Sequence, residues 1–180
     1  MNTAVADLRT AVAARSPIDE READSVVRFV GALDRLAAPF DEAADPTHVT
    51  GSAIVVGPRG VLLHRHKRLG IWMQPGGHVE RGETPSEAAA RETVEETGVS
   101  VAHPPAGPRL VHVDVHAAPR GHTHLDVRYL VHAGDVAPAP PAGESQAVSW
   151  FTWTDAVAVA DPALVGALRA VRALGAAPSG

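Results

Sequence analysis

Between Thr84 and Gly98 the chain carries a helix whose two ends are both specified locally. Thr84 can cap the first turn, Pro85 suits the first helical position, Glu87 can return the cap's hydrogen bond, and Gly98 can take the left-handed conformation that closes such a helix. With Glu92 set at zero and 100° per residue, Glu96 falls near 40° and Glu95 near −60°, so three carboxylates share an arc of about 100°. Ala90, Thr93, Val94 and Thr97 occupy the opposite arc. An acidic helix face is commonly just solvated. Here it is preceded by Gln74-Pro75-Gly76-Gly77-His78-Val79-Glu80-Arg81-Gly82-Glu83, a glycine-punctuated stretch that lets backbone approach a ligand and adds a fourth acid, Glu83. Acids at i, i+3 and i+4 repel one another, and an all-oxygen set of this kind is neutralised by a hard divalent cation, Mg²⁺ or, in its place, Mn²⁺. Arg91, four residues from Glu87 and from Glu95, can hold an acid by a charge-assisted contact.

The rest of the chain reads as one domain with an appended segment. Val5, Leu8 and Val12 recur at helical spacing over 3–15, and Val26, Val27, Phe29, Val30, Leu33 and Leu36 do so over 19–38, before Pro39 and the acidic turn 41–46. These two helices form an N-terminal extension, residues 1–45, that can pack on the main domain, form a homodimer seam or recognise substrate. From Thr47 the texture changes to short apolar runs. A hairpin is expected from 51–56 and 61–66 around Gly57-Pro58-Arg59-Gly60, then strands over 110–116, 124–132 and 147–153. A last helix is expected over 154–174, interrupted or bent at Pro162, before a Pro/Ser/Gly tail at 177–180. The main domain is therefore set at 46–176.

Composition narrows the function classes. Aromatics make up only 4%, so Ala, Val and Leu must build the core. A net charge of −5 gives no general attraction to nucleic acid or anionic lipid. The absence of cysteine removes disulfides, thiolate zinc sites and thiol nucleophiles, and fits a cytoplasmic setting. Neither a secretory h-region nor a run of 18 apolar residues is found, so no membrane partner is expected.

Gly77, five residues, Glu83, seven residues, then Arg91-Glu92-Thr93-Val94-Glu95-Glu96-Thr97-Gly98-Val99 resembles the Nudix box of the Nudix hydrolase superfamily, over 23 residues. The flanking strand order also resembles the Nudix domain. One position departs, since Thr93 stands where the pattern has an apolar residue; it lies on the inward arc, so packing rather than chemistry should adjust. The resemblance implies an α/β fold, an α/β/α sandwich around a mixed sheet, and hydrolysis of a nucleoside diphosphate linked to a group X. It further implies that Glu92, Glu95, Glu96 and the Gly76 carbonyl ligate metal, with Glu83 and Arg91 orienting loop and helix. Glu96 or Glu92 then serves as general base, with Glu144 as a competitor from the loop before Ala147.

Substrate-binding candidates are Arg65 and His66 at the exit of the second strand, Trp72, and His124 and Arg128, which share a strand face with Asp126. For Trp72 core packing beside the box is favoured over base stacking, and the 124–128 face equally suits local ion pairing. A zinc site from His64/His66 or His112/His116 is conceivable, but no acid–base apparatus accompanies it. The markers that follow the box in NADH and ADP-ribose hydrolases are missing, and the likeness to coenzyme A hydrolases is generic. Nucleoside triphosphates, oxidised ones included, lead the expected substrates, followed by nucleotide sugars and other nucleoside diphosphate derivatives. A non-catalytic nucleotide-sensing module is the competing reading; such modules usually lose box acids that this sequence retains.

Overall fold

The computed structural model describes residues 3–175; the tail expected at 177–180, and the domain end at 176, lie outside the described residues. In chain order the elements are α1 (Thr3–Ala13), α2 (Glu20–Leu33), β1 (Thr47–Gly57), β2 (Gly60–Arg65), β3 (Trp72–Met73), β4 (Gly76–His78), α3 (Pro85–Thr97), β5 (Val101–Ala102), β6 (Arg109–Ala117), β7 (Thr123–Ala133), β8 (Val148–Phe151), α4 (Trp153–Val159) and α5 (Pro162–Ala173). They form one mixed sheet with helices on both faces. Its spine is the parallel pair β1 and β7, in register from Thr47 opposite Thr123 to Val56 opposite His132. β2 and β4 share the other edge of β1, both antiparallel, while β5 and β6 pair with β7.

Strand alternation divides the core in two. Val49, Ala53 and Val55 of β1 pack with Leu125 and Val127 against α1, α2 and α3, whereas Ile54 and Val56 pack with Leu130 against Leu164, Leu168 and Val171 of α5. On the same side of the sheet as Ile54, the residues towards the start of β1 are polar. Register carries them into three rows across β1, β7 and β6: His48–His124–His116, Thr50–Asp126–Asp114 and Ser52–Arg128–His112. Buried polar rows need internal partners. Asp126 accepts from Thr50, Ser52 and Arg128, and Asp114 takes Arg21 and His116.

The N-terminal helices are part of the same core, through Val5, Leu8, Val12, Phe29 and Leu33. They also cover the outer edge of β6. Glu22 Oε1 accepts from Val113 N, Ser25 Oγ accepts from Val115 N, Arg28 donates to Val115 O, and Arg15 donates to the carbonyls of Leu110 and Val111. An edge strand left open is a template for unwanted pairing, and here side chains close it.

α2 ends earlier than its apolar period suggests. Asp34 turns the chain out while pairing with Arg9 of α1, and Pro39 O is brought to Val49 N at 2.7 Å. The helix expected over 154–174 is two helices, because Asp161 caps Leu164 N and Pro162 opens a new first turn. α3 has the capping box and the left-handed Gly98 (φ 69°) that its sequence specifies. Thr93 and Thr97 are fully buried and bond back to Ala89 O and Thr93 O, whereas Val94 stays exposed. The start of α3 lies directly on β1: a Cβ at Gly51 would stand 2.1 Å from Pro85 O.

Candidate active site

Because β4 pairs with β1 through Ser52 opposite Gly76, the glycine stretch is drawn under α3. There Gly77 has no room for a side chain, since a Cβ would lie 2.3 Å from Glu92 Oε1. Arg91 organises the acids. Its Nε and Nη2 donate to Glu83 at 2.9 and 3.1 Å, its Nη1 to Glu92 at 2.9 Å and Glu95 at 3.0 Å, and Nη2 also to His78 O at 2.9 Å. So many acceptors hold the guanidinium firmly protonated, above its ordinary value. Burial alone would raise Glu83, but the bonds from Arg91 and from Glu80 N outweigh it and hold it low.

Glu92 and Glu96 behave differently. Burial raises Glu92 in spite of Arg91, and burial with the neighbouring acids pushes Glu96 up to about 8, opposed by the Gly76 N–H that donates to it at 3.0 Å. Among the described residues Glu96 lacks a basic partner at hydrogen-bond distance: His64 Nε2 is 3.7 Å away, and burial holds that imidazole down at about 4. Two half-buried carboxylates, Glu92 held by Arg91 and Glu96 with no such ion pair among the described residues, oxygen donors throughout, and a glycine cradle beside them fit a hard divalent cation. Glu95 is more open and is pinned by Arg91.

Glu96, His64, Gly76 and Gly77 line a cleft of about 280 Å³ together with His78, His116, His122, His124 and Asp126. A second, wider hollow is lined by Glu92, Glu95 and Arg91 together with Ala37–Ala43, so the end of the N-terminal segment walls the acidic face.

The structure brings only some of the expected binding residues to these clefts. His124 and His66 line the first, but His66 Nδ1 also accepts from Arg68 N and Leu69 N, which fixes the turn after β2. Arg65 points away from it and donates to Gly70 O. Trp72 packs edge-on against Phe151 at 4.8 Å in the core under α4. Arg128 is buried, bonded to Asp126 and 3.6 Å from Asp114, so its charge is spent inside the sheet. Glu144 lies at the surface beside Lys67, at 3.5 Å.

The histidine pairs weighed for zinc are not gathered. His112 is buried alone among charged neighbours and His116 is bonded to Asp114, while His48, His78 and His124 converge instead. Sequence periodicity could not find that trio, because His48 meets His124 only through a parallel pairing of strands 76 residues apart.

With this fold and acid cluster in place, comparison with known proteins defines the class. The family model described as NUDIX domain matches residues 46–173, and the chain belongs to that family. A NUDIX-family hydrolase from Clostridium perfringens superposes with a TM-score of 0.61 at 28% identity, covering 71% of this chain and 97% of that one. A MutT-like protein of Streptomyces ambofaciens is 40% identical over 68 residues, 37% of this chain and 44% of that protein. A Bacillus subtilis protein provisionally named an 8-oxo-dGTP diphosphatase is 48% identical over 42 residues, 23% of this chain and 28% of that protein. The chain thus spans less than half the length of these curated relatives.

Proposed function

We propose that this chain is a Mg²⁺-dependent pyrophosphohydrolase that breaks a phosphoric anhydride bond in a nucleoside diphosphate linked to a group X, with nucleoside triphosphates, oxidised or not, as the first substrate class. Nucleotide sugars and related nucleoside diphosphate derivatives come second. The observation that carries the reading is Glu96: a half-buried carboxylate lining a cleft, with no hydrogen-bonded cation among the described residues, on the helix face that also bears Glu92 and Glu95. The family supports hydrolysis, and the name of the Bacillus relative supports a triphosphate.

Glu92, Glu95 and Glu96, with the Gly76 carbonyl, are the residues that would hold the cation. When bound, Mg²⁺ supplies neutralisation of the anhydride oxygens and a water made acidic enough to attack phosphorus. Arg91 and Glu83 fix the helix against the glycine stretch, so the acids are positioned before substrate arrives. Glu96 or Glu92 takes the proton of the attacking water as the P–O bond to the leaving group breaks. Glu144 is the less suited base, exposed and engaged by Lys67. Residues 1–45 act as an integral cap on residues 46–176. The absence of cysteine supports a cytoplasmic setting.

The test is product analysis by ³¹P NMR over nucleoside triphosphates, their 8-oxo forms, nucleotide sugars and dinucleoside polyphosphates, with Mg²⁺ or Mn²⁺. Selective cleavage of triphosphates is expected, with the phosphorus signals of the products naming the bond broken. Turnover of a nucleotide sugar alone would move the chain to the second class, and nucleotide binding without cleavage would overturn the hydrolase reading.

A further inference from the structure

We propose that His48, His78 and His124 form a second metal site, for Zn²⁺ or a similar borderline divalent ion, separate from the glutamates of α3 and independent of the hydrolase reading. Three elements converge to make it. His48 of β1 stands opposite His124 of β7, and His78 ends β4 one row along, where Thr50 pairs with it. One donor atom from each ring lies within 4.8 Å of the other two. The rings are tilted, with interplanar angles of 55°, 59° and 89°, rather than stacked face to face. Around a tetrahedral Zn²⁺ with bonds of about 2.0–2.1 Å, donors stand roughly 3.3 Å apart, so closure needs shifts of about 1.5 Å at most.

Two of the three rings carry outer contacts of the kind a ligand set has. His48 is 1% exposed, and its Nδ1 can only donate to the backbone carbonyl of Asp45, at 3.3 Å. That bond leaves Nε2 as a lone pair, buried and without a hydrogen-bond partner. An orphaned buried acceptor costs about 1–3 kcal/mol, and a bound cation removes that cost. On the other side, Glu42 Oε2 is 3.2 Å from His78 Nε2, the carboxylate–imidazole pairing that fixes ligating histidines. Both outer contacts come from the acidic turn 41–46.

Neutral imidazoles select Zn²⁺, Co²⁺, Ni²⁺ or Cu²⁺ over Mg²⁺, which requires oxygen. Three protein ligands also leave a fourth position for an exchangeable ligand. His78 and His124 line the same cleft as Glu96. The site therefore sits where a group carried by the bound substrate, or water, can complete the coordination.

The test uses full-length, metal-stripped protein carrying Glu92→Gln and Glu96→Gln, which disables the acidic set, titrated with Zn²⁺ against a chromophoric chelator and with Co²⁺ by visible absorption. One Zn²⁺ per chain is expected, with the strong d–d bands of four-coordinate Co²⁺ and a melting temperature raised by Zn²⁺. In that background His78→Ala, whose side chain is half exposed and whose loss opens no core cavity, should weaken Zn²⁺ by more than about 100-fold, since losing an outer partner alone costs about 10–100-fold. His124→Asn should do the same, whereas His66→Ala, in the same cleft but outside the trio, should leave the affinity unchanged. Equal Zn²⁺ affinity with and without His78 and His124, or no stoichiometric Zn²⁺ in the parent protein, would overturn the proposal.

Discussion

Arg91 contacts more of the acidic site than any carboxylate does, and its planar fork explains why lysine cannot replace it. Five donor contacts reach Glu83, Glu92, Glu95 and the His78 carbonyl together. Lysine presents a single point of charge and can satisfy one or two of them. Arg91→Lys is therefore expected to lower kcat by about 100-fold, the scale set by an ångström of misplacement, with the melting temperature nearly unchanged. Gly77→Ala acts on the same geometry from β4, because its methyl group must displace Glu92. It should raise the Mg²⁺ concentration needed for half-maximal turnover, read by titrating Mg²⁺ at saturating nucleotide. An unchanged Mg²⁺ requirement would mean that Glu92 does not hold the cation.

The helical extension earns its place by closing an edge. Glu22 is fully buried and takes two bonds from Arg15 and two from the backbone amides of Ile18 and Val113. Glu22→Ala strands the Arg15 charge and the Val113 N–H, and should cost about 3–5 kcal/mol in chemical denaturation, the range for breaking a buried pair. Glu20, exposed on the same helix, should tolerate alanine with little change. How much of this was legible in the sequence follows from how local each signal is. α3, its caps and its acidic arc are specified within 15 residues and appear as read, and so does the β1–β2 hairpin. The parallel register of β1 and β7 is non-local, so the polar rows, the enclosed Arg128 and the His48–His78–His124 group could not be derived from alternation within one strand. His66 and Trp72 have the right chemistry for ligand contact, but the turn after β2 and the core under α4 claim them first.

Buried titratable groups make stability depend on pH with two opposing signs. Burial holds His64 and His124 at about 4 and His112 at about 3, below the ordinary 6.5. Between those values the unfolded chain binds more protons, so their contribution is present above 6.5 and is lost as pH falls towards 4 and 3. Glu96, raised from 4.5 to about 8 by burial, contributes below 4.5 and loses that contribution as pH rises through 8. Glu92, which burial also raises, acts with the same sign as Glu96, and the three histidines outweigh the two carboxylates on the acid side, so metal-free protein should be most stable at about pH 6.5. Urea unfolding in EDTA at pH 5, 6.5 and 8 checks this, and Glu96→Gln should weaken the alkaline decline while leaving the acid limb. The same substitution gives the most direct test of the site as a whole. Turnover of a nucleoside triphosphate with saturating Mg²⁺ is measured for wild type and for Glu96→Gln, alongside circular dichroism to verify the fold. The account predicts a loss of orders of magnitude in kcat in a folded protein; turnover retained at the wild-type rate would contradict it.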